Sequence, residues 1–518
     1  MTAATTPEQR WRPAYRSTLD RPHSMVIALI LIVASVAGAT IPFMMNVVSG
    51  GTPFALLSVA AASVVVFGRG RIAAMAGSAI FITLLHVAYV TLVSPAYAYA
   101  GLGYNDPSFP SLAVAVGLAW LPAWWLPVAL GRPSDVFVWA IYLVAYVPAF
   151  LVPTYILPGE YASLPLQLTM MAGFSLIMLA NRLPLPRSSP MKGLSPMAFT
   201  QLVWLMIVVT VPALIFTFGV SFDLPALDAV YEQRDEYKEA LAEAGRLAGY
   251  LGQWGGTVVF PTLLALGLGS SRLTWIAVAI LGQLYMYSIT GFKSFALAIL
   301  LIIGVHILVR WRGRRLASTA SGGAALVVGL ASLLSLGGEN IAFVFSVLVR
   351  RLLVIPGALA GHYYDYFSSN ESYALSHSIL SFLNPGSVDI LTPARMIGWV
   401  YFGDPAVNAN ASFWADGMAN FGLWGVLLAS VVLALLLRLL DRATVGRSLT
   451  FMAPLVALTA YEFSQGALLT SLLTGGAMFI ALLLILSPTD VEEPPTGLAV
   501  SPLDGATTAE RPSLSRAD

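Results

Sequence analysis

Two adjacent arginines, Arg350 and Arg351, sit inside the run IAFVFSVLVRRLLVIPGALAG. A guanidinium is planar, always charged and suited to phosphate. At membrane depth it is costly unless it snorkels to the surface or meets an anion. Neighbouring residues of a helix point about 100° apart, so at most one of the pair faces a given site. The pair therefore marks either the outer edge of a helix or a bound anion. Lys293 stands in SITGFKSFAL, where Gly291 allows a tight turn. A lysine beside a helix start can meet an anionic head group, or it can anchor a hairpin among lipids. His362 and Asp365 are three residues apart and share a face if the segment is helical. With His377 they could form a base and its orienting partner, or metal ligands. No HExxH or DxD pattern accompanies them, so no metal or other cofactor is expected. In NANASFWADGMANFGLWG, Asn408, Asn410 and Asp416 open a helix. A carboxylate there stabilises the helix N-terminus or acts as a base. Gly417, Ala419, Gly422 and Gly425 suit close helix packing. Glu462 and Gln465 lie in the next hairpin, and an acid within a span is functional by default.

These residues need a scaffold, and composition says which kind. Of 518 residues, 58% are hydrophobic and 10% charged, against about 25% charged in soluble domains. The expectation is an all-α polytopic membrane protein. Apolar runs centre near Leu31, Ala60, Phe81, Ala119, Val144, Gly173, Val208, Val259, Ala279, Leu300, Val328, Leu428, Leu458 and Phe479, about fourteen in all. Residues 1–24 read as a cytoplasmic segment, 25–487 as the membrane domain and 488–518 as a disordered, Pro-rich, acidic cytoplasmic tail. The run from Met25 to Met45 is long enough for an uncleaved first span. With no cysteine, disulfides, cysteine-held zinc and thiol nucleophiles are excluded.

Basic residues are retained on the cytoplasmic side. With both termini inside, all but seven of the 27 basic residues fall there. The exceptions are Arg234, Lys238, Arg246, Lys293, Arg350, Arg351 and Arg395. Two outer segments emerge. One, from about 222 to 251, contains YEQRDEYKEALAEAGR and predicts a surface helix over the outer mouth. The other, from about 338 to 410, is too long for a plain connector and predicts a functional loop with short helices. Pro356 is expected to break the apolar helix from Ile341 to Leu359. The loop also carries Asp365, Glu371, His377, Asp389 and many aromatics, among them Tyr363 and Tyr366. Tyr363, Tyr366 and Trp414 suit either sugar stacking or an interfacial belt.

The succession VYEQRDEYK, QLYMYSITGFKS, RRLLVIPGALAGHYYDYF and YFGDPAVNANASFWADGMANFGLWG resembles bacterial oligosaccharide repeat-unit polymerases of the Wzy-like O-antigen polymerase group. It covers roughly residues 134 to 438. The resemblance implies a plasma-membrane glycosyltransferase. Such an enzyme joins repeat units carried on undecaprenyl diphosphate at the periplasmic or outer face, without a nucleotide sugar. It also implies a flippase and a chain-length regulator as partners, and no nucleic acid. Outer cations would then neutralise the leaving diphosphate: Arg350 and Arg351 foremost, Lys293 assisting, with Arg234 and Arg395 available. Asn408 and Asn410 would contact substrate, and Asp365, His377 or Asp416 would take the acceptor proton. A lipid-linked oligosaccharide flippase, or another transporter, is the alternative, as is a glycan ligase on the same helical body. Against transport, charge gathers at the outer rim rather than near the midplane, and no internal repeat is visible.

Overall fold

The computed structural model describes residues 68–185, 191–220, 230–335, 343–384 and 391–489, with scattered positions between 59 and 66. All named elements among them are helical. In chain order they are α1 (Gly70–Ala100), α2 (Phe109–Trp124), α3 (Pro133–Ile156), α4 (Leu164–Arg182), α5 (Pro196–Phe218), α6 (Val230–Ala244), α7 (Leu247–Ser270), α8 (Leu273–Thr290), α9 (Lys293–Arg312), α10 (Leu316–Ser335), α11 (Phe343–Phe367), α12 (Pro393–Phe402), α13 (Phe413–Ala443), α14 (Leu449–Gln465) and α15 (Leu468–Leu486). Eleven are long and apolar enough to cross a membrane: all except α2, α6, α12 and α14. The chain is thus an all-α polytopic membrane protein. Of the expected spans, the one near Leu31 and most of that near Ala60 lie outside the described residues, as do residues 1–24 and the tail from 490. The runs near Ala119 and Leu458 form the shorter α2 and α14.

The main departure from expectation is α11. Residues 343–367, expected to belong to the outer loop, form one 25-residue apolar helix. Pro356 does not break it, because a π-helical segment, Ser346–Val354, directly precedes the proline's turn. The same arrangement recurs at Tyr89–Val93 before Pro95, Tyr142–Tyr146 before Pro148 and Gly255–Val259 before Pro261. Proline has no N–H to donate, and its ring collides with the carbonyl four residues back. A wider i→i+5 turn shifts that carbonyl and lets the helix continue. The long connector therefore begins after Phe367 and carries α12.

Glycines set how closely α11 approaches α3. A Cβ on Gly357 would lie 2.6 Å from the Pro148 carbonyl oxygen, and one on Gly361 3.1 Å from the Pro153 Cβ. Both contacts advance together along the two helices, so α11 runs parallel to α3. Elsewhere α10 packs on α1, α13 on α4, α7 on α8, and α14 on both α3 and α9. One end of the bundle is tied by a buried polar network. The Ser134 N–H and hydroxyl donate to Asp441 at 3.0 and 2.5 Å, and Asn181 Nδ2 donates to Ser134 Oγ at 2.7 Å and to Asp135 Oδ1 at 3.1 Å. It joins α3, α4 and α13, and its hydrogen bonds offset the desolvation of the carboxylates.

The glycine-rich start of α13 makes a sharp internal break. Phe421 and Gly422 leave helical geometry, Gly422 with φ +59°. The two halves then meet through Gly417 and Gly425, where a Cβ on Gly417 would stand 2.5 Å from the Gly425 carbonyl oxygen. The small residues expected at a helix interface thus pack the helix against itself.

Candidate functional site

Lys293 opens α9 immediately after a turn. Helix α8 ends at Thr290, Gly291 takes φ +63°, and the Thr290 hydroxyl accepts from the Phe292 N–H at 3.1 Å. Glycine is needed for that left-handed position. Arg234 reaches the turn from α6, donating through Nη2 to the Gly291 carbonyl at 3.4 Å, with its guanidinium 5.5 Å from the Phe292 ring. Tyr237, one turn further along α6, is buried against Phe218 and Phe292. The surface helix predicted from YEQRDEYK is therefore docked on this turn; residues 221–229, which precede it, lie outside the described residues.

Arg350 and Arg351 approach from α11. Arg350 is half-buried; its Nε donates to Ser346 Oγ at 3.0 Å, and its guanidinium lies 4.4 Å from the Tyr97 ring at the end of α1. Arg351 is exposed. The charges of Arg234, Arg350 and Arg351 all act on the Lys293 ammonium, which itself lies 4.9 Å from the Phe343 ring. Four cations spread over more than a hundred residues of sequence thus form one cluster. Among the described residues, no carboxylate lies within ion-pair distance of Lys293, Arg350 or Arg351. Like charges repel, so Lys293, Arg350 and Arg351 together favour an anion.

The structure also holds a polar cavity of about 210 Å³. Its lining includes Gln253, Asn410, Glu462, Gln465, Thr470 and Ser471. Tyr461, the chain neighbour of Glu462, feels the charge of Arg351. Amide, hydroxyl and carboxylate groups in one concavity match the many hydroxyls of a sugar.

Asp416 joins three segments. Its Oδ2 accepts from the Leu468 N–H at 3.2 Å, and its Oδ1 accepts from Asn420 Nδ2 at 3.0 Å with His377 Nε2 at 3.6 Å. The loop that delivers His377 holds Ala374 at φ +43° and Leu375 at φ +68°, each costing about 1 kcal/mol or more without a glycine. Asn420 holds it there: its carbonyl accepts from the Ala374 N–H at 3.1 Å and its side-chain oxygen from the Leu375 N–H at 2.8 Å. Both Asp416 oxygens are therefore engaged, and the residue acts as a tie between α13, α15 and the His377 loop.

The remaining expected residues are distributed differently. Asp365 and His362 do share a face, and both meet Tyr401 of α12. The Tyr401 hydroxyl donates to Asp365 Oδ2 at 2.6 Å, while the His362 ring stacks on Tyr401 at 4.2 Å. Burial and then the Asp365 bond push the Tyr401 phenol above its usual range. Tyr363 is buried, with its hydroxyl donating to the Ala409 carbonyl at 3.2 Å, and Tyr366 packs edge-on against Phe367. Asn410 reaches the polar cavity, whereas Asn408, Arg395 and Glu371 are exposed outside its lining. Trp414 is neither an interfacial belt residue nor a stacking platform: it is 1% exposed, with Nε1 donating to Ser430 Oγ at 2.8 Å. Asp389 lies outside the described residues. Among the described residues, no three His, Asp or Glu side chains converge as a metal site.

Sequence reasoning did not place Tyr97, Ser346, Gln253, Thr470 or Ser471 at the site. Glu462 and Gln465 carried a signal, polar residues in an apolar hairpin, but nothing in the sequence placed them in one cavity with Gln253 and Asn410. No protein-family model, no curated protein and no solved structure matches this chain.

Proposed function

We propose that this protein joins oligosaccharide repeat units carried on a polyprenyl diphosphate, at the outer face of a bacterial plasma membrane. The observation that carries the reading is the four-cation cluster, together with a sugar-compatible polar cavity lined by Glu462, whose chain neighbour Tyr461 feels the charge of Arg351. A diphosphate placed against Lys293, Arg350, Arg351 and Arg234 would meet positive charge where its own negative charge grows as it leaves. The acceptor unit would sit in the cavity, where Glu462 takes the proton of the attacking hydroxyl. That oxygen bonds to the anomeric carbon of the donor sugar as the carbon–oxygen bond to the diphosphate breaks. Asp416 keeps the His377 loop and the adjoining helices in place. Asp365, engaged by Tyr401, fits a positioning role better than that of the base. The orientation with cations outside agrees with the excess of arginine at the opposite ends of the spans.

Deletion of the gene, followed by gel analysis of envelope glycans, tests the reading. A polysaccharide ladder should collapse to single repeat units, and wild type should restore it. An unchanged ladder would refute the assignment, and transport of lipid-linked oligosaccharide across vesicles would then be measured.

A further inference from the structure

The hollow assigned above to the acceptor has a lining that selects among sugars. Helix α15 is interrupted between Leu472 and Ala477, where Gly476 takes φ +82°. Glycine suits that left-handed position, and a Cβ there would collide with Val258 of α7. Trp254 of α7 holds the interruption in place, its Nε1 donating to the Leu473 carbonyl at 3.1 Å. Thr470 and Thr474 of α15 thereby share one lining with Gln253 of α7 and with Glu462 and Gln465 of α14. The hydrogen bonds within this lining use backbone carbonyls: Ser471 Oγ donates to the Glu462 carbonyl at 3.2 Å, and the Gly475 N–H to the Thr470 carbonyl at 2.8 Å. Among the described residues, the lining holds amides, hydroxyls and the Glu462 carboxylate, but no lysine or arginine. Arg351, whose charge acts on Tyr461, is not part of it.

We propose that the cavity takes a single uncharged sugar ring, the one that offers the attacking hydroxyl, and that Glu462 excludes acidic sugars from it. This rests on the acceptor reading given above and names the class of acceptor. The volume, about 210 Å³, is below the ~300–1,000 Å³ of pockets that enclose drug-sized ligands. One ring fits, and a second must lie outside. The hydroxyl and acetamido groups of a neutral ring both donate and accept, as do the side chains of Gln253, Gln465 and the two threonines. A uronic acid would instead bring a second carboxylate into the hollow with Glu462. Like charges at close range in a partly buried site repel strongly, and no side chain of the lining supplies a compensating cation.

The full chain in nanodiscs, free of glycoside detergent, is titrated by saturation-transfer NMR at about pH 8, where carboxylates are ionised. The probes are methyl glucoside, methyl N-acetylglucosaminide and methyl glucuronide. At least one neutral glycoside should bind, and the glucuronide should bind about tenfold or more weakly. Glu462→Gln should bring the glucuronide to within about threefold of the neutral probe. Gln253→Arg should do the same by supplying a partner for its carboxylate. Thermal unfolding shows which variants are folded, and either one suffices for the test. No binding of any probe, equal binding of all three by wild type, or an unchanged ratio in the folded variants overturns the proposal. The titration contains no lipid-linked donor, so it is independent of the glycan ladder. A ladder that collapses on deletion, with no discrimination among the probes, strikes the sugar selectivity alone. Discrimination with an unchanged ladder upholds a neutral-sugar site and strikes the polymerase.

Discussion

Replacement of Arg351 by alanine separates a substrate contact from a structural anchor. Arg351 is exposed, and among the described residues it has no carboxylate within ion-pair distance. Its neighbours Lys293 and Arg350 carry the same charge. Removing it should therefore leave stability within about 0.5 kcal/mol of wild type, as for an ordinary surface change, or raise it through reduced repulsion. The loss should appear in catalysis. A hydrogen bond to a charged group contributes about 1.5–3 kcal/mol. At about 1.4 kcal/mol per tenfold in rate, turnover should fall roughly 10- to 150-fold. The assay is polymerisation of purified lipid-linked repeat units in proteoliposomes, alongside thermal unfolding of the same preparations. The reasoning fails if Arg351→Ala polymerises within about threefold of wild type, or if it loses stability in proportion to activity. The second result would identify Arg351 as an anchor of α11.

Glu462→Gln keeps the size of the side chain but removes the base, so chain extension should drop by about 10²–10⁴-fold; near-normal rates would move the role to His377. Tyr97→Leu removes the ring over which Arg350 lies; with a cation–π contact of about 0.5–1 kcal/mol, donor affinity measured by titration should weaken only two- to fivefold. Gly417→Ala would push a methyl group into the Gly425 carbonyl, and unfolding in detergent should show a loss of about 1–3 kcal/mol. Ser430→Ala leaves the buried Trp414 N–H without its acceptor, so the midpoint should shift by an amount equivalent to about 1–3 kcal/mol with little change in activity.

The cations of the candidate site were legible because charge is conspicuous in an apolar chain. Arg350, Arg351, Lys293 and Arg234 stand out against the excess of arginine at the other side, and the structure gathers all four. Arg395 stood out for the same reason but contributes no described contact to the cluster, since exposure on a short helix also suits a charge. Asp416 illustrates a different ambiguity. A carboxylate in the first turn of a helix fits a base, a cap or a cross-link equally well by position. Its hydrogen bonds to Leu468 and Asn420 show the cross-link.

By itself, the sequence determined an all-helical membrane body, most of its span positions and the residues whose charge is unusual. Hydrophobic runs and charge asymmetry suffice for that, because the bilayer imposes length and polarity on each segment separately. Only the tertiary structure decided which of those residues meet. Whether Pro356 ends a helix depends on a π-helical turn, and hence on local hydrogen-bond register rather than residue type. Whether Tyr461 feels the charge of Arg351 depends on how α11 packs between α3 and its neighbours. Such contacts join segments far apart in sequence, and no periodicity within either segment encodes them.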